Sequence, residues 1–293
     1  MSAVTVVGSA NMDIVFTVDR VPRPGETLLA DSAARYPGGK GLNQAVAAAR
    51  AGVETTFVGA LGDDDNGRAL KSTMVEAGMD TSLVRTDERE TGQAFIVVDR
   101  SGENTIIVAS GANASVAGLT EPERAAITGS TVVLMQLELP ISAVLEAAQV
   151  ATAAVTIVNA APAQTLSDEL LGALDVLVVN EHEATIVAGI EDLAEASQHL
   201  ANTVPRLVVT LGSEGSVLYE SGREVARVPA RLVTPIDTTG AGDTFCGALA
   251  AALAEGRDFV SAATFATAAA SLSVQKVGAV PSIPLRAAIE AVL

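Results

Sequence analysis

The sequence predicts an α/β fold: a central, mostly parallel sheet with helices on both faces, plus a small antiparallel β lid. Two observations carry this. Short, continuously apolar runs alternate with segments of helical period, as expected for parallel strands buried on both faces and joined by crossover helices. Against that rhythm, two stretches read as hairpins. A chain of 293 residues suffices for one such unit. The expected organisation is a single domain over 1–293, with the lid inserted discontinuously at about 13–35 and 91–109.

Val4-Thr5-Val6-Val7-Gly8 is the first buried strand. The first hairpin takes Ile14–Val18, a turn at Pro22-Arg23-Pro24-Gly25, and a return arm Glu26–Ala30. Gly41–Gly52 is an Ala-rich helix, Thr55–Val58 a strand, and Gly67–Gly78 a helix closed by a glycine stop. Gln93–Val98 and Asn104–Ala109 form the second hairpin around Asp99-Arg100-Ser101-Gly102. Strands follow at Thr131–Met135, Val155–Val158, Val176–Val179 and Arg206–Thr210, with helices near Ile141–Thr152 and Glu181–Ala188. The tail is helical over Gly242–Gly256 and Ser261–Ser273. A two-hairpin sheet leaves one face bare, which predicts a homodimer formed lid to lid.

A net charge of −17 argues against nucleic-acid binding by phosphate neutralisation. It also means that any anionic ligand must be held by local groups and a cation, not by the overall field. No apolar run is long and charge-free enough to cross a bilayer, and Met1-Ser2-Ala3 leads straight into a strand without signal-peptide character. A cytoplasmic protein is expected. Cys246 is the single cysteine, and with His182 and His199 it offers no zinc spacing. It reads as small helix packing.

The chemistry concentrates at Asp237-Thr238-Thr239-Gly240-Ala241-Gly242-Asp243-Thr244. A Gly-Ala-Gly turn lets backbone approach a ligand, and the helix that follows aims unpaired N–H groups and its positive dipole end at an anion. Asp243, in that first turn, would repel the anion. It makes sense as the acceptor of a proton from a hydroxyl that attacks a phosphate, so the stretch points to phosphoryl transfer to an alcohol. The same spacing also suits a plain helix start, where Asp favours the dipole. It matches neither the dinucleotide Gly-x-Gly-x-x-Gly fingerprint nor a P-loop. A second Gly-rich helix start, Pro37-Gly38-Gly39-Lys40-Gly41-Leu42-Asn43-Gln44, carries polar Lys40 and Asn43 and suits a hydroxyl-rich ligand. Asn11 and Asp13 follow the first strand and Glu138 follows another, at the carboxyl ends where open α/β sheets bind ligands.

These motifs together resemble the ribokinase-like carbohydrate kinase family. The similarity continues in order through Gly8-Ser9-Ala10-Asn11-Met12-Asp13, Pro24-Gly25-Glu26-Thr27, Gly38–Ala45, Gly62-Asp63-Asp64, Ser110-Gly111-Ala112-Asn113, Leu134–Glu138, Asn180-Glu181-His182-Glu183, Thr210–Gly215 and Asp237–Thr244. The resemblance implies an ATP-dependent sugar kinase that phosphorylates the 5-hydroxyl of D-ribose. It implies Asp243 as base, with the Gly240, Ala241 and Gly242 amides as anion hole, and Asn11, Asp13, Gly38, Gly39, Lys40, Asn43 and Glu138 on the sugar. Asn180 and Glu183 would help position Mg²⁺ and phosphates, largely through water, and Thr210, Gly212, Ser213 and Gly215 would form the nucleotide loop. A potassium site is implied at Asp237, Thr239, Ser273, Lys276, Gly278 and Ser282. Gln275-Lys276-Val277 departs from the usual cation-loop residues, and Asn159-Ala160-Ala161-Pro162-Ala163 lacks one proline of a common family segment. The competing readings are a kinase of the same fold for deoxyribose, fructose or a nucleoside, and a non-catalytic sugar sensor; a dinucleotide oxidoreductase lacks its fingerprint.

Overall fold

The computed structural model describes residues 3–100 and 104–293. The expected turn residues Ser101 and Gly102, and the leading Met1 and Ser2, lie outside them. In chain order the first elements are β1 (Val4–Val7), β2 (Asn11–Thr17), β3 (Ser32–Gly38), α1 (Lys40–Arg50), β4 (Thr55–Gly62), α2 (Asp65–Glu76), β5 (Val84–Asp87), β6 (Gly92–Val98) and β7 (Asn104–Ala109). Then come α3 (Glu121–Thr128), β8 (Val132–Met135), α4 (Ile141–Val150), β9 (Val155–Asn159), α5 (Asp168–Gly172), β10 (Val176–Asn180), α6 (Glu181–Ala188) and α7 (Leu193–Thr203). The rest is β11 (Arg206–Thr210), β12 (Ser216–Glu220), β13 (Arg223–Val228), α8 (Ala241–Ala254), α9 (Phe259–Ser273), α10 (Ala279–Ser282) and α11 (Arg286–Glu290).

Nine strands form one sheet in the order β13-β12-β11-β10-β9-β8-β1-β4-β5, parallel except for the β11–β12–β13 edge. Its strands bury both faces by alternation. Val4, Val6, Val132, Leu134 and Ile157 face a core that includes residues of α1, α8 and α9; Val7, Val133, Met135 and Val158 face the opposite core, with α4 and α5. The functional loops leave from the carboxyl ends of β1, β8, β9, β10 and β11, on one edge of this sheet. Chain connections reverse beside β1, which sits between β4 and β8.

A second sheet orders β3-β2-β6-β7. It is antiparallel at both margins, but its central pair, β2 and β6, runs parallel. The return arm of the first hairpin is not Glu26–Ala30. Thr17 pairs with Ser32 and Asn11 with Gly38, so the partner strand is β3 and the turn between is long. The apolar Leu28-Leu29 pair suggested a strand, yet Leu29 is 93% exposed. Pro37 is tolerated because β3 is an edge strand.

Several elements escaped the sequence reading although their signals were present. Thr120 and Glu123 form a capping box at the start of α3, with Pro122 just inside the helix. Ser221 and Gly222, at φ 51° and 78°, make the tight turn of the β12–β13 hairpin. β5 and α7 were likewise unread.

Candidate active site

Two helices open the site, and both begin without a side-chain cap. Side chains of Asp64, Ser167, Asn180, Asp192 and Asp258 accept from backbone N–H groups at the starts of α2, α5, α6, α7 and α9. By contrast α1 starts at Gly39 (φ 88°) and α8 at Gly240 (φ 73°), neither with a side chain to cap it. Both glycines hold a backbone that an L side chain resists, and a Cβ on Gly39 would also lie 2.7 Å from the Asn11 nitrogen. The Ala241 N–H donates to the Thr238 carbonyl, which removes it from the expected amide trio. The Gly242 and Asp243 N–H groups have no backbone acceptor among the described residues.

The two helices pack closely because Gly247 has no side chain: a Cβ there would lie 2.2 Å from the Gln44 carbonyl and 2.5 Å from Ala47 Cβ. Ala47 is one turn past Asn43 and Gly247 one turn past Asp243, so this contact aligns the residues that precede it. Asp243 is buried, and both its oxygens are engaged. Asn43 Nδ2 donates to Oδ2 at 3.0 Å and Gln44 Nε2 to Oδ1 at 2.9 Å.

Around this point the structure gathers the residues expected on a sugar. Glu138 Oε2 accepts from the Ser9 hydroxyl and from the Lys40 N–H at 3.0 Å. Gly38 makes room for Asp13, since a Cβ there would sit 2.1 Å from Asp13 Oδ2. Burial, then the nearby Glu138 and Asp243 carboxylates, push the Asp13 carboxyl up to about 7, against the pull of Lys40. The Lys40 ammonium is held above its ordinary range, chiefly by Asp243. Asn11 Oδ1 accepts from Asn113 Nδ2 at 2.8 Å, and Asn113 Oδ1 accepts from the Ala10 N–H at 3.0 Å, so Asn113 fixes how Asn11 faces the cleft. Asn43 Oδ1 is buried without a partner.

A cavity of about 220 Å³ adjoins, lined by Lys40, Asn159, Asn180, Glu183, Thr210, Thr238, Gly240–Asp243 and Cys246 among others. Above Gly242 the space is open: a Cβ would meet nothing within 4 Å. Asn180 and Glu183 form a reciprocal cap, each side chain accepting the other's N–H at 2.8 Å, and burial pushes the Glu183 carboxyl up. Thr210 reaches the cavity, while Gly212 and Ser213 are exposed beyond it. Gly215 has a packing reason, since a Cβ would lie 2.0 Å from the Val228 carbonyl oxygen. Burial pushes the Cys246 thiol up, which suits an inert packing residue.

Among the described residues, no group of three His, Cys, Asp or Glu side chains could enclose a metal ion. One Glu183 oxygen is bonded within its own cap, so the donors fit a divalent ion held mainly by water and phosphate oxygens. Asp237 joins the two loops expected to share a monovalent cation: Oδ1 accepts from the Thr239 N–H at 2.9 Å and Oδ2 from the Gly278 N–H at 2.8 Å. Ser273 and Ser282 are buried with hydroxyls bonded to Ala270 and Ala279 carbonyls, and the Lys276 N–H donates to the Ser273 carbonyl.

Gln44, Gln136, Asn159 and Asn113 were not singled out by the sequence, although all four stood inside segments that were. Their role depends on which polar neighbour they meet, and amides carry no charge pattern to reveal it.

The profile of the pfkB family carbohydrate kinases matches residues 1–286. A ribokinase of Haemophilus influenzae is 42% identical over 292 residues, spanning 96% of this chain and 95% of its own. The crystal structure of a Thermotoga maritima ribokinase superimposes with a TM-score of 0.92 at 36% identity, covering 99% of both chains. The structure of Arabidopsis thaliana ribokinase complexed with ribose and ATP also gives 0.92, at 33% identity over 99% of this chain and 98% of that one. The chain belongs to the pfkB family of carbohydrate kinases.

Proposed function

We propose that the protein transfers the terminal phosphoryl group of ATP to the 5-hydroxyl of D-ribose, giving ribose 5-phosphate and ADP. The observation that carries this is the position of Asp243. Its carboxylate lies at the amide-rich start of α8, on a cavity, and is bonded to Asn43 of the cluster that would hold a sugar. The ribokinases that match over nearly the whole chain support the same substrate pair.

In this reading Asn11, Asp13, Gly38, Gly39, Lys40, Asn43 and Glu138 hold the sugar hydroxyls. Asp243 aligns the 5-hydroxyl and takes its proton as the O–P bond forms, a contribution of about 10²–10⁴-fold. The Gly240–Gly242 turn cradles the moving phosphoryl, and the Gly242 N–H is one of its donors. Each such donor is worth roughly 3–4 kcal/mol in the transition state. Thr210, Gly212, Ser213 and Gly215 border the nucleotide. Mg²⁺, held through water by Asn180 and Glu183, would supply the positive charge that lets a triphosphate approach Asp243. The carbonyl-rich loops at Asp237, Thr239, Ser273, Lys276, Gly278 and Ser282 would take K⁺ beside the anion hole.

The sheet β3-β2-β6-β7 serves as a lid on the single 1–293 domain, and two lids form the homodimer. The exposed strand β7, with Ile106, Ile107 and Val108, favours this. ATP as substrate suits a cytoplasmic protein, and no described helix is long and apolar enough to cross a membrane. A coupled ADP-release assay over ribose, deoxyribose, fructose and nucleosides, run with the wild type and Asp243→Asn, tests the reading. ADP formed fastest with ribose, and reduced at least about 10²-fold in the variant, is expected. A silent panel would instead support a sugar sensor, and full turnover by Asp243→Asn would remove it from the reaction.

A further inference from the structure

Behind Asp243, away from Asn43, lies a chain of buried amides. Gln44 is 0% exposed, and three hydrogen bonds define its carboxamide: Nε2 donates to Asp243 Oδ1 at 2.9 Å and to Asn159 Oδ1 at 3.1 Å, and Oε1 accepts from Gln136 Nε2 at 2.7 Å. The orientation follows from charge. An ionised carboxylate only accepts, so the Gln44 nitrogen must face Asp243. Its oxygen must then face Gln136, which answers with its own nitrogen.

Gln136 is also 0% exposed, and this arrangement strands its Oε1, which has no partner. An unpartnered buried acceptor is destabilising. Space for it exists only because residue 8 is glycine: a Cβ there would lie 2.2 Å from that oxygen. Packing alone therefore does not account for an amide at 136, since an unbranched apolar side chain of the same length would fill the volume with no orphaned atom of its own. The one thing the amide does is donate to Gln44.

We propose that Gln44 and Gln136 are positioning residues, an amide relay that fixes the plane of the Asp243 carboxylate so that Oδ2 faces the acceptor hydroxyl. The proposal rests on Asp243 being the base. The terminal torsion of an Asp side chain is soft, with broad and nearly equivalent settings. Two donors, one to each oxygen (Asn43 on Oδ2 and Gln44 on Oδ1), remove that freedom. Asn43 is shared with the loop proposed to hold the sugar, so Gln44 is the donor devoted to the protein's own groups, Asp243 and Asn159. Gln136 keeps it from rotating its oxygen toward the carboxylate.

The test uses Gln44→Met and Gln136→Met in the intact protein, alone and combined with Asp243→Asn. Loss of a supporting hydrogen bond typically lowers activity about 10- to 100-fold, and Gln44→Met is expected to lower kcat by that amount. Gln136→Met should lower it about threefold to tenfold, with KM for ribose and ATP unchanged within about twofold. Gln136→Met should melt close to wild type, because it removes the stranded Gln136 Oε1 while leaving Gln44 Oε1 without its donor; a residue serving only the fold would lose stability and turnover together. In the Asp243→Asn background neither substitution should lower the residual rate further. Normal kcat in both methionine variants, or losses that multiply with Asp243→Asn, would overturn the relay while leaving the base assignment intact. Full turnover by Asp243→Asn alone would overturn both. If Gln44→Met does not fold, the Gln136→Met comparison decides.

Discussion

Asn43 Nδ2 donates to Asp243 Oδ2 across 3.0 Å, joining the first turns of two helices that lie 200 residues apart in the chain. One amide thus touches the proposed base and belongs to the loop proposed to hold the sugar, so recognition and chemistry meet at a single hydrogen bond.

Asn43→Leu should therefore change two constants at once. Ribose KM is expected to rise about tenfold because a hydroxyl loses its partner, and kcat to fall by a similar factor because the carboxylate loses an orienting donor. Steady-state kinetics at saturating ATP separate the two. A change in KM alone would make the bond to Asp243 a resting-state contact only.

If Asp13 holds the sugar as proposed, ribose binding should depend on pH. With its carboxyl raised to about 7, chiefly by burial, the form that accepts sugar hydroxyls predominates only above that pH. Ribose KM should fall as pH rises through about 7, and Asp13→Asn should erase the inflection. The linked effect on stability has the opposite sense. An acid whose folded pKa exceeds its unfolded value binds more protons when folded, so its contribution to stability declines from about pH 4 to about pH 7. Asp13→Asn should thus raise Tm at pH 8 by several degrees, since each 1 kcal/mol is roughly 2–4 °C in a chain of this size class, and hardly change it at pH 4. Equal Tm changes at both pH values would contradict the sign.

Gly242 and Gly240 should respond differently to alanine. A Cβ on Gly242 meets nothing within 4 Å and enters open space above the helix start, so the fold should tolerate it while kcat/KM for ATP falls at least about tenfold. Gly240 has φ 73°, and its Cβ would sit 2.9 Å from Ala279 Cβ, so Gly240→Ala should destabilise by about 1–3 kcal/mol. Thermal melts and ATP kinetics on the pair distinguish a ligand surface from a strained turn. Unchanged ATP kinetics in Gly242→Ala would argue against phosphate lying over α8.

The proposed lid-to-lid dimer can be tested at β7. Ile107 is 67% exposed on an edge strand whose residues all face solvent in the single chain. Ile107→Glu should convert the dimer to monomer in sedimentation velocity at micromolar concentration, with the melting temperature nearly unchanged. A wild-type chain already monomeric under those conditions would reject the interface.

The parallel sheet was legible because strands buried on both faces must be apolar at every position, whatever their neighbours. Val132–Met135 and Val176–Val179 show this directly, and Val4–Val7 departs from it only at Thr5, whose buried hydroxyl pairs with that of Ser130. The Gly240–Asp243 and Gly38–Asn43 motifs were legible for a related reason: a positive φ at Gly39 and Gly240, and the close approach of Asp13 to Gly38, demand glycines at fixed positions along the chain. The first hairpin was misread because strand pairing depends on register. Ser32–Gly38 is less apolar than the stretch before it, yet it is the segment aligned with β2.

The sequence by itself determined the fold class, the two glycine-led helix starts and the acid beside one of them, because each is a local requirement of backbone geometry or burial. Only the tertiary structure decided that Asn43, Gln44, Gln136 and Asn159 converge on that acid. Their meeting depends on α8 lying against α1 at Gly247 and Ala47. Such an approach is set by how two distant surfaces pack, and no spacing along the chain encodes it.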